Sequence, residues 1–152
     1  MNIETAVAEL ERSILAEIPL TRAMQLTLRD YDGDHLTLTA PLPPNINDKG
    51  CAFGGSLVSM MTLAGWGLVI LKLREIDADC DVYVQDSAVR YLAPVWSDFV
   101  ARAQLADGES WENFAAMLKQ KGRSRVVVDC GVPLPDGGDA CTMQARFVAV
   151  TR

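Results

Sequence analysis

The chain opens with apolar residues spaced three or four positions apart, which is the spacing of one face of a helix. These apolar positions are Ile3, Val7, Leu10 and Ile14. The pattern predicts a helix over residues 3–17. Asn2 is a suitable residue to cap its start, and Pro19 lies just past its expected end.

Two stretches of alternating apolar and polar residues follow, and each predicts a strand with one buried face. The apolar sides are Met24, Leu26 and Leu28 in the first stretch, and Leu36, Leu38 and Ala40 in the second. Asp32-Gly33 between them is typical of a hairpin turn. Prolines at positions 41, 43 and 44 end the second strand because proline has no N–H group for a sheet hydrogen bond.

Residues 56–72 form the most apolar segment, and we predict a helix that is buried on most sides. Residues 50–71 carry no charge and approach the length that spans a bilayer. However, glycine, serine and threonine dilute this segment and the other elements are amphipathic, so a core helix is favoured over a membrane span. Gly65 and Gly67 each cost a helix about 1 kcal/mol relative to alanine, which predicts compensating close packing against a sheet.

The second half of the chain predicts four more strands. Residues 82–92 are rich in β-formers and are followed by Pro94. Three further strands have apolar faces formed by Phe99, Ala101, Ala103 and Leu105, by Val126, Val128, Cys130 and Val132, and by Met143, Ala145, Phe147 and Ala149. A short helix over residues 111–121 ends at Gly122. We therefore predict a single α+β domain over residues 1–152, with one antiparallel sheet of about six strands wrapped around a long central helix and two peripheral helices.

Composition and charge argue against several classes of function. A net charge of −6 argues against nucleic-acid binding, which needs a basic surface. The four cysteines have neither paired nor zinc-ligand spacing, and no signal peptide is evident, so we expect reduced thiols and a cytoplasmic location. His35 is the only histidine, which excludes paired-histidine metal sites, and no metal is expected. It follows Asp32-Gly33 in a turn pattern, which favours a solvated turn residue over a catalytic one.

The segment from Asn45 to Gly55 is the candidate functional centre. Gly54 and Gly55 stand where the central helix begins, so backbone N–H groups are expected to be free there. Asn45 and Asn47 add side-chain amides. Uncharged donors suit the oxyanion that develops in thioester chemistry. The alternative is structural: the glycines tighten a turn that the asparagines cap. Cys51 is expected to be a packed residue rather than a nucleophile, and Ser56 to open the helix or hydrogen-bond a ligand.

This segment resembles the loop of hotdog-fold acyl-thioester enzymes, in which an Asn is followed by a Gly and then by His-Gly-Gly. Asn47, Gly50, Gly54 and Gly55 match that pattern, with Phe53 in place of the histidine. More specific motifs resemble the YiiD C-terminal-domain family over nearly the whole chain. They are Asn45-x-Asn47, Phe53-Gly54-Gly55-Ser56-Leu57, Leu63-Ala64-Gly65-Trp66, Asp86-Ser87-x-x-x-Tyr91-x-x-Pro94, Gly122-Arg123-Ser124-Arg125 and Phe147-Val148-Ala149.

The resemblance implies a hotdog fold and an enzyme acting on acyl thioesters. Members of the family have been labelled thioesterases and are also described as malonyl-acyl-carrier-protein (malonyl-ACP) decarboxylases that help to initiate fatty acid synthesis. It also implies catalysis at the position of Asn45, substrate contacts from the loop, and a homodimer or larger assembly with sites between protomers. The substrate carries its own phosphopantetheine, on ACP or CoA, so no further cofactor is expected.

The residues themselves bear on which reaction is favoured. Hydrolysis needs a base to activate water. In hotdog hydrolases this base is commonly a carboxylate on the central helix, at the position where this chain has Thr62. Asp48 or Asp86 could substitute, so hydrolysis stays open. Decarboxylation needs only fixed donors at the thioester oxygen, such as the Asn45 amide and the Gly55 N–H. We therefore expect a malonyl-ACP decarboxylase, with an acyl-CoA or acyl-ACP thioesterase and a non-catalytic acyl-thioester sensor as alternatives.

Further candidate residues lie outside the loop. Asp86 and Ser87 are expected either to meet the thioester end of the substrate or to be ordinary polar strand residues. Positive charges cluster around the end of the short helix, at Lys119, Lys121, Arg123 and Arg125. Such a cluster is usually a solvated face. On an acidic protein, however, it also provides what an acidic carrier protein would need to dock.

Overall fold

The computed structural model describes residues 2–152 as four α-helices and six β-strands. The elements in chain order are α1 (Ile3–Glu17), α2 (Pro19–Met24), β1 (Thr27–Tyr31), β2 (His35–Ala40), α3 (Gly54–Glu75), β3 (Cys80–Tyr91), β4 (Phe99–Leu105), α4 (Trp111–Lys121), β5 (Arg123–Pro133) and β6 (Asp139–Thr151). One 3-10 turn, Pro43–Asn45, lies between β2 and α3.

The six strands form one antiparallel sheet in the order β1-β2-β4-β5-β6-β3. Helix α3 packs against β2, β3, β4, β5 and β6, so the sheet wraps around it. The central-helix prediction and the α+β hotdog architecture are thus confirmed. Although α3 is long and apolar enough to cross a membrane by length and composition, its buried positions contact the sheet, as expected of a core helix.

The amino-terminal prediction was partly wrong. Helix α1 has the predicted bounds, and the Asn2 side chain accepts a hydrogen bond of 2.7 Å from the Glu4 N–H. Pro19 lies just past the end of α1 as predicted, but it also opens a second short helix, α2, which was not predicted. Met24 therefore belongs to α2, and β1 begins only at Thr27. Six residues are too few for a helical period to be recognised in a sequence.

Helix α3 begins two residues earlier and ends three residues later than predicted. Two of its glycines face the sheet closely, as expected: a Cβ atom on Gly65 would lie 2.7 Å from the Phe147 ring, and one on Gly67 would lie 2.8 Å from Leu36. Phe147 and Leu36 are both fully buried. These glycines allow the helix axis to approach the strands.

Strand β3 is an edge strand with one irregularity that matters for the site. Val84 pairs with Phe147 but Asp86 pairs with Arg146, so Gln85 and Asp86 together oppose one residue, as in a β-bulge. Side chains alternate between the faces of a strand, and the bulge reverses that alternation. Ser87 therefore shares the α3 face with its partner Ala145, while Asp86 lies on the outer face.

The carboxyl-terminal half follows the prediction closely. Strand β4 and helix α4 have the predicted bounds, and Gly122 ends α4 in the left-handed conformation at φ +69°. Strands β5 and β6 extend a few residues beyond their predicted apolar faces. Pairing between β4 and β5 covers only Leu105↔Val128 to Arg102↔Gly131, so α4 occupies the space beside the start of β5.

Candidate functional site

The loop ahead of α3 is a small hairpin held by its own hydrogen bonds. Ile46 and Ala52 form a β-bridge, and the Asn47 N–H donates to the Cys51 carbonyl at 2.8 Å. The Asn47 side chain also works inside the loop: its Oδ1 accepts from the Lys49 N–H and its Nδ2 lies 3.2 Å from Cys51 Sγ. The Ala52 N–H donates to the Val95 carbonyl, which ties the loop to the segment after β3.

Asn45 ends the 3-10 turn and is 2% exposed. Its Nδ2 donates to the carbonyl oxygens of Met24 at 2.9 Å and Pro41 at 2.8 Å. Both neighbours are acceptors, so the orientation of the amide is fixed and both of its protons are used. Its Oδ1 is buried and has no hydrogen-bond partner among residues 2–152. The sequence-based hypothesis used the Asn45 amide as a donor to substrate, whereas the atom left available is an acceptor.

The amino terminus of α3 offers unpaired donors. Phe53 occupies the N-cap position without a side-chain cap, and its own N–H donates to the Asn45 carbonyl at 2.7 Å. The first helical hydrogen bond runs from the Leu57 N–H to the Phe53 carbonyl. The N–H groups of Gly54, Gly55 and Ser56 therefore have no partner within the helix. The helix dipole adds partial positive charge at the same place.

Two aromatic rings cover this helix terminus. A Cβ atom on Gly55 would lie 2.3 Å from the Phe53 ring, and one on Gly54 would lie 3.1 Å from Tyr91 Cε1 and 3.6 Å from the Tyr91 hydroxyl oxygen. Phe53 is 55% and Tyr91 60% exposed. Tyr91 was part of a family motif but not among the sequence-based site residues, because alternation along β3 does not show that its end meets the start of α3.

The two carboxylates considered as bases each form an ion pair with a basic side chain. Asp48 is exposed and pairs with Lys49 at 3.1 Å, and the hydrogen bond from this lysine lowers the pKa of Asp48. A lowered pKa makes a weaker base. Asp86 lies on the outer face of the sheet and pairs with Arg146 at 3.0 Å. Of the predicted pair Asp86 and Ser87, only Ser87 faces the side of α3.

The flank of α3 along β3 is neutral. Gly55, Ser59, Thr62 and Trp66 are half-buried and recur at helical spacing. The Thr62 hydroxyl lies 3.7 Å from Met143 Sδ, and Trp66 Nε1 donates to the Val82 carbonyl.

All four cysteines are free and buried. Burial raises the pKa of Cys130 to about 12 and also raises the pKa values of Cys80 and Cys141.

His35 lies outside this region. It starts β2, and its Nδ1 is 3.1 Å from Asp32 Oδ2 in the hairpin turn. Within residues 2–152, no cluster of three histidine, cysteine or acidic side chains is placed to hold a metal ion.

The predicted basic cluster surrounds a groove between α4 and the start of β5. The groove has a volume of about 670 Å³, and its lining includes Phe114, Met117, Lys121, Arg123 and Arg125. Lys119, Lys121, Arg123 and Arg125 are exposed, and none forms an ion pair within the described chain. The structure thus places three of the four predicted cations around one groove with an apolar floor.

Comparisons with known proteins agree with this architecture. The family model described as "Putative thioesterase (yiiD_Cterm)" matches residues 7–151. A protein of unknown function from Chlorobaculum tepidum TLS is 30% identical with a TM-score of 0.91, covering 98% of this chain and 96% of that chain. A "putative thioesterase" from Shewanella oneidensis is 29% identical with a TM-score of 0.86, covering 97% and 99%. A thioesterase from Haemophilus influenzae, 16% identical over 95% and 90% of the two chains with a TM-score of 0.73, shares the fold. This chain therefore belongs to the hotdog-fold family described as "Putative thioesterase (yiiD_Cterm)".

Proposed function

We propose that this protein decarboxylates malonyl-ACP to acetyl-ACP. One observation carries the proposal: the start of α3 presents unpaired neutral donors, while Asp48 and Asp86, the carboxylates considered as bases, are both ion-paired. Such a site can stabilise a negatively charged oxygen, but it lacks an evident base that would activate water. The family assignment supports the broader statement that the substrate is an acyl thioester.

The reaction divides into two steps. The bond between the α-carbon and the carboxylate breaks, CO2 leaves, and the electron pair moves through the new C=C bond onto the thioester oxygen. The N–H groups of Gly54, Gly55 and Ser56 stabilise that enolate oxygen. A solvent proton then adds to the α-carbon and restores the carbonyl group. No covalent intermediate with the protein is needed.

Hydrolysis is the second candidate, because the family description names it. The buried Asn45 Oδ1 could accept a hydrogen bond from an attacking water. An amide oxygen, however, is too weak a base to remove a proton from that water near neutral pH. Hydrolysis would therefore need a carboxylate from another chain or from substrate.

We further propose that two protomers pair through β3. One side of this long edge strand has no partner within the described chain, and apolar Val84 is 45% exposed there. Exposed edges of this kind are normally covered or paired. In an antiparallel, two-fold pairing the Tyr91 end of one β3 meets the Cys80 end of the other. The start of one α3 would then approach the end of the partner sheet where its β5 begins.

The proposed carrier is ACP, docked on the basic groove. The protein has a net charge of −6, so an acidic partner is repelled by most of the surface. The unpaired cations around the groove between α4 and β5 provide a local exception. In the β3-paired dimer this groove lies at the same end of the sheet as the partner's α3 terminus, which suits a substrate arm that crosses between protomers.

One experiment separates the candidate functions. Purified protein is incubated with malonyl-ACP, and the ACP species are followed by intact mass over time. Acetyl-ACP is expected; free ACP thiol with malonate would instead indicate hydrolysis. Unchanged malonyl-ACP together with saturable binding would indicate a sensor. Acetyl-ACP supplied as substrate is the control, because a hydrolase removes its acyl group and a decarboxylase leaves it intact.

A further inference from the structure

Asn45 cannot supply a side-chain donor beside the backbone N–H groups at the start of α3. Both Nδ2 protons of Asn45 are used by the Met24 and Pro41 carbonyls. Rotating the amide would place Oδ1 against two carbonyl oxygens, which is repulsive. The Phe53 side chain has no hydrogen-bond donor, and Asn47 Nδ2 faces the Cys51 sulfur inside the loop. The two asparagine side chains of the loop are therefore engaged in holding it.

Tyr91 is placed to fill this role. It is the last residue of β3 and pairs with Cys141, which lies on the same face of β6 as Phe147 and therefore on the face of the sheet that carries α3. Its ring packs against Gly54, and its hydroxyl oxygen is 3.6 Å from the position that a Cβ on Gly54 would occupy. No hydrogen-bond partner for this hydroxyl is present between residues 2 and 152.

A second feature belongs to the residue whose main chain holds this terminus. Asn45, whose carbonyl accepts from the Phe53 N–H, carries a buried Oδ1 without a partner in the described chain. A buried, unsatisfied oxygen costs roughly 1–3 kcal/mol unless water or a ligand pairs with it. The residue hydrogen-bonded to Phe53 thus carries an unused acceptor, while the helix terminus itself holds an unused phenol and three unused backbone donors.

We propose that the Tyr91 hydroxyl donates a hydrogen bond to the thioester oxygen and holds the negative charge that develops there. The inference rests on the acyl-thioester function but not on which reaction follows, since the oxygen becomes negative in both decarboxylation and hydrolysis. Tyr91 keeps its proton throughout, and the proton that reaches the α-carbon comes from solvent. Gly54 belongs to the same arrangement, because a side chain there would push the ring away.

The test compares Tyr91→Phe with Tyr83→Phe. Tyr83 lies on the same strand, but it pairs with Val148 on the outer face, so the loss of its hydroxyl should leave activity unchanged. Loss of one oxyanion donor typically lowers kcat by about 10²–10³-fold, and we expect a fall of that order in kcat for Tyr91→Phe, with KM raised by no more than about tenfold.

A binding measurement distinguishes this role from a structural one. Two unreactive pantetheine analogues are used: an amide that keeps the carbonyl oxygen, and a thioether that lacks it. Tyr91→Phe should weaken binding of the amide about tenfold, the worth of one hydrogen bond, and leave thioether binding unchanged. Equal weakening of both analogues would mean that Tyr91 only shapes the pocket, and would overturn the inference.

The outcomes separate this inference from the proposed reaction. If the wild-type protein makes acetyl-ACP and Tyr91→Phe does so at the wild-type rate, the Tyr91 inference is wrong and the reaction stands. If the wild-type protein hydrolyses thioesters and Tyr91→Phe loses that activity, decarboxylation is wrong and the Tyr91 inference stands.

Discussion

The side-chain nitrogen of Asn45 lies 2.9 Å from the carbonyl oxygen of Met24, a residue 21 positions earlier in the chain. This contact joins the end of α2 to the loop that precedes α3, and a second bond from the same nitrogen reaches Pro41. Asn45 thus fixes the position of the loop that the sequence identifies as the site. The only polar atom of the Asn45 side chain that lacks a partner in the described chain is Oδ1, which is a hydrogen-bond acceptor.

Asn45→Ala should therefore affect stability as well as turnover. The substitution leaves the Met24 and Pro41 carbonyls without a donor in a buried place, which costs about 1–3 kcal/mol. We expect a folded protein with a lower thermal midpoint and most of its turnover lost, measured by calorimetry and by the malonyl-ACP assay. Near-normal rates in this variant would remove Asn45 from the mechanism.

Gly65→Ala should destabilise the core. The new Cβ would lie 2.7 Å from the ring of Phe147, which is fully buried and cannot swing away. Overpacking of this kind costs about 1–3 kcal/mol, measured by urea unfolding. Gly55→Ala is the matched control for stability, since the Phe53 ring it would meet is 55% exposed and can rotate. Equal losses in the two variants would contradict this explanation.

Charge reversal at Lys119, Lys121, Arg123 and Arg125 should raise KM for ACP substrates by about tenfold or more and leave kcat unchanged, because docking rather than chemistry is weakened. The effect should shrink as salt is added. A malonyl-pantetheine substrate without the carrier protein is the control and should show little change. A change confined to kcat would mean that this groove does not dock ACP.

Val84→Arg should break the proposed dimer. It places a charge at an exposed apolar position of the unpaired β3 edge, on the face shared with α3. We expect a monomer by sedimentation, with malonyl-ACP turnover at low substrate concentration reduced at least about tenfold, because a lone protomer lacks the partner's groove on which ACP is proposed to dock. Val84→Thr, which keeps the shape of the side chain, should remain dimeric and active. A fully active Val84→Arg monomer would show that each site is complete in one chain.

The turn between β1 and β2 gives a pH prediction. The backbone N–H groups of Asp34 and His35 donate to Asp32, and they lower the pKa of Asp32 to about 2 from 3.8. A pKa lowered in the folded state stabilises the protein above 3.8, and this stabilisation is lost as pH falls through about 2. Asp32→Asn should therefore lower the thermal midpoint above pH 3.8, with a difference that shrinks towards pH 2. A difference independent of pH would show that the charge is not involved.

Local sequence patterns determined most of the elements. Alternation over Leu36, Leu38 and Ala40 predicted β2, and Gly122 marked the predicted end of α4, whose observed bounds match the prediction. The uncharged segment over residues 50–71 identified the core, because a helix that is apolar nearly all round must be enclosed by protein. The loop from Asn45 to Gly55, and its place before that helix, could also be predicted from the sequence and its family motifs.

Tertiary structure decided which atoms of the site are free. The partners of Asn45 come from α2 and from Pro41, and periodicity carries no information about such distant bonds. The bulge between Val84 and Asp86 moved Asp86 to the outer face and aligned Ser87 and Tyr91 with α3. A one-residue shift reverses every later side chain in a strand, and only pairing with β6 reveals it. The sequence thus identified the loop and the family, while the packing of strands and helices selected the donors.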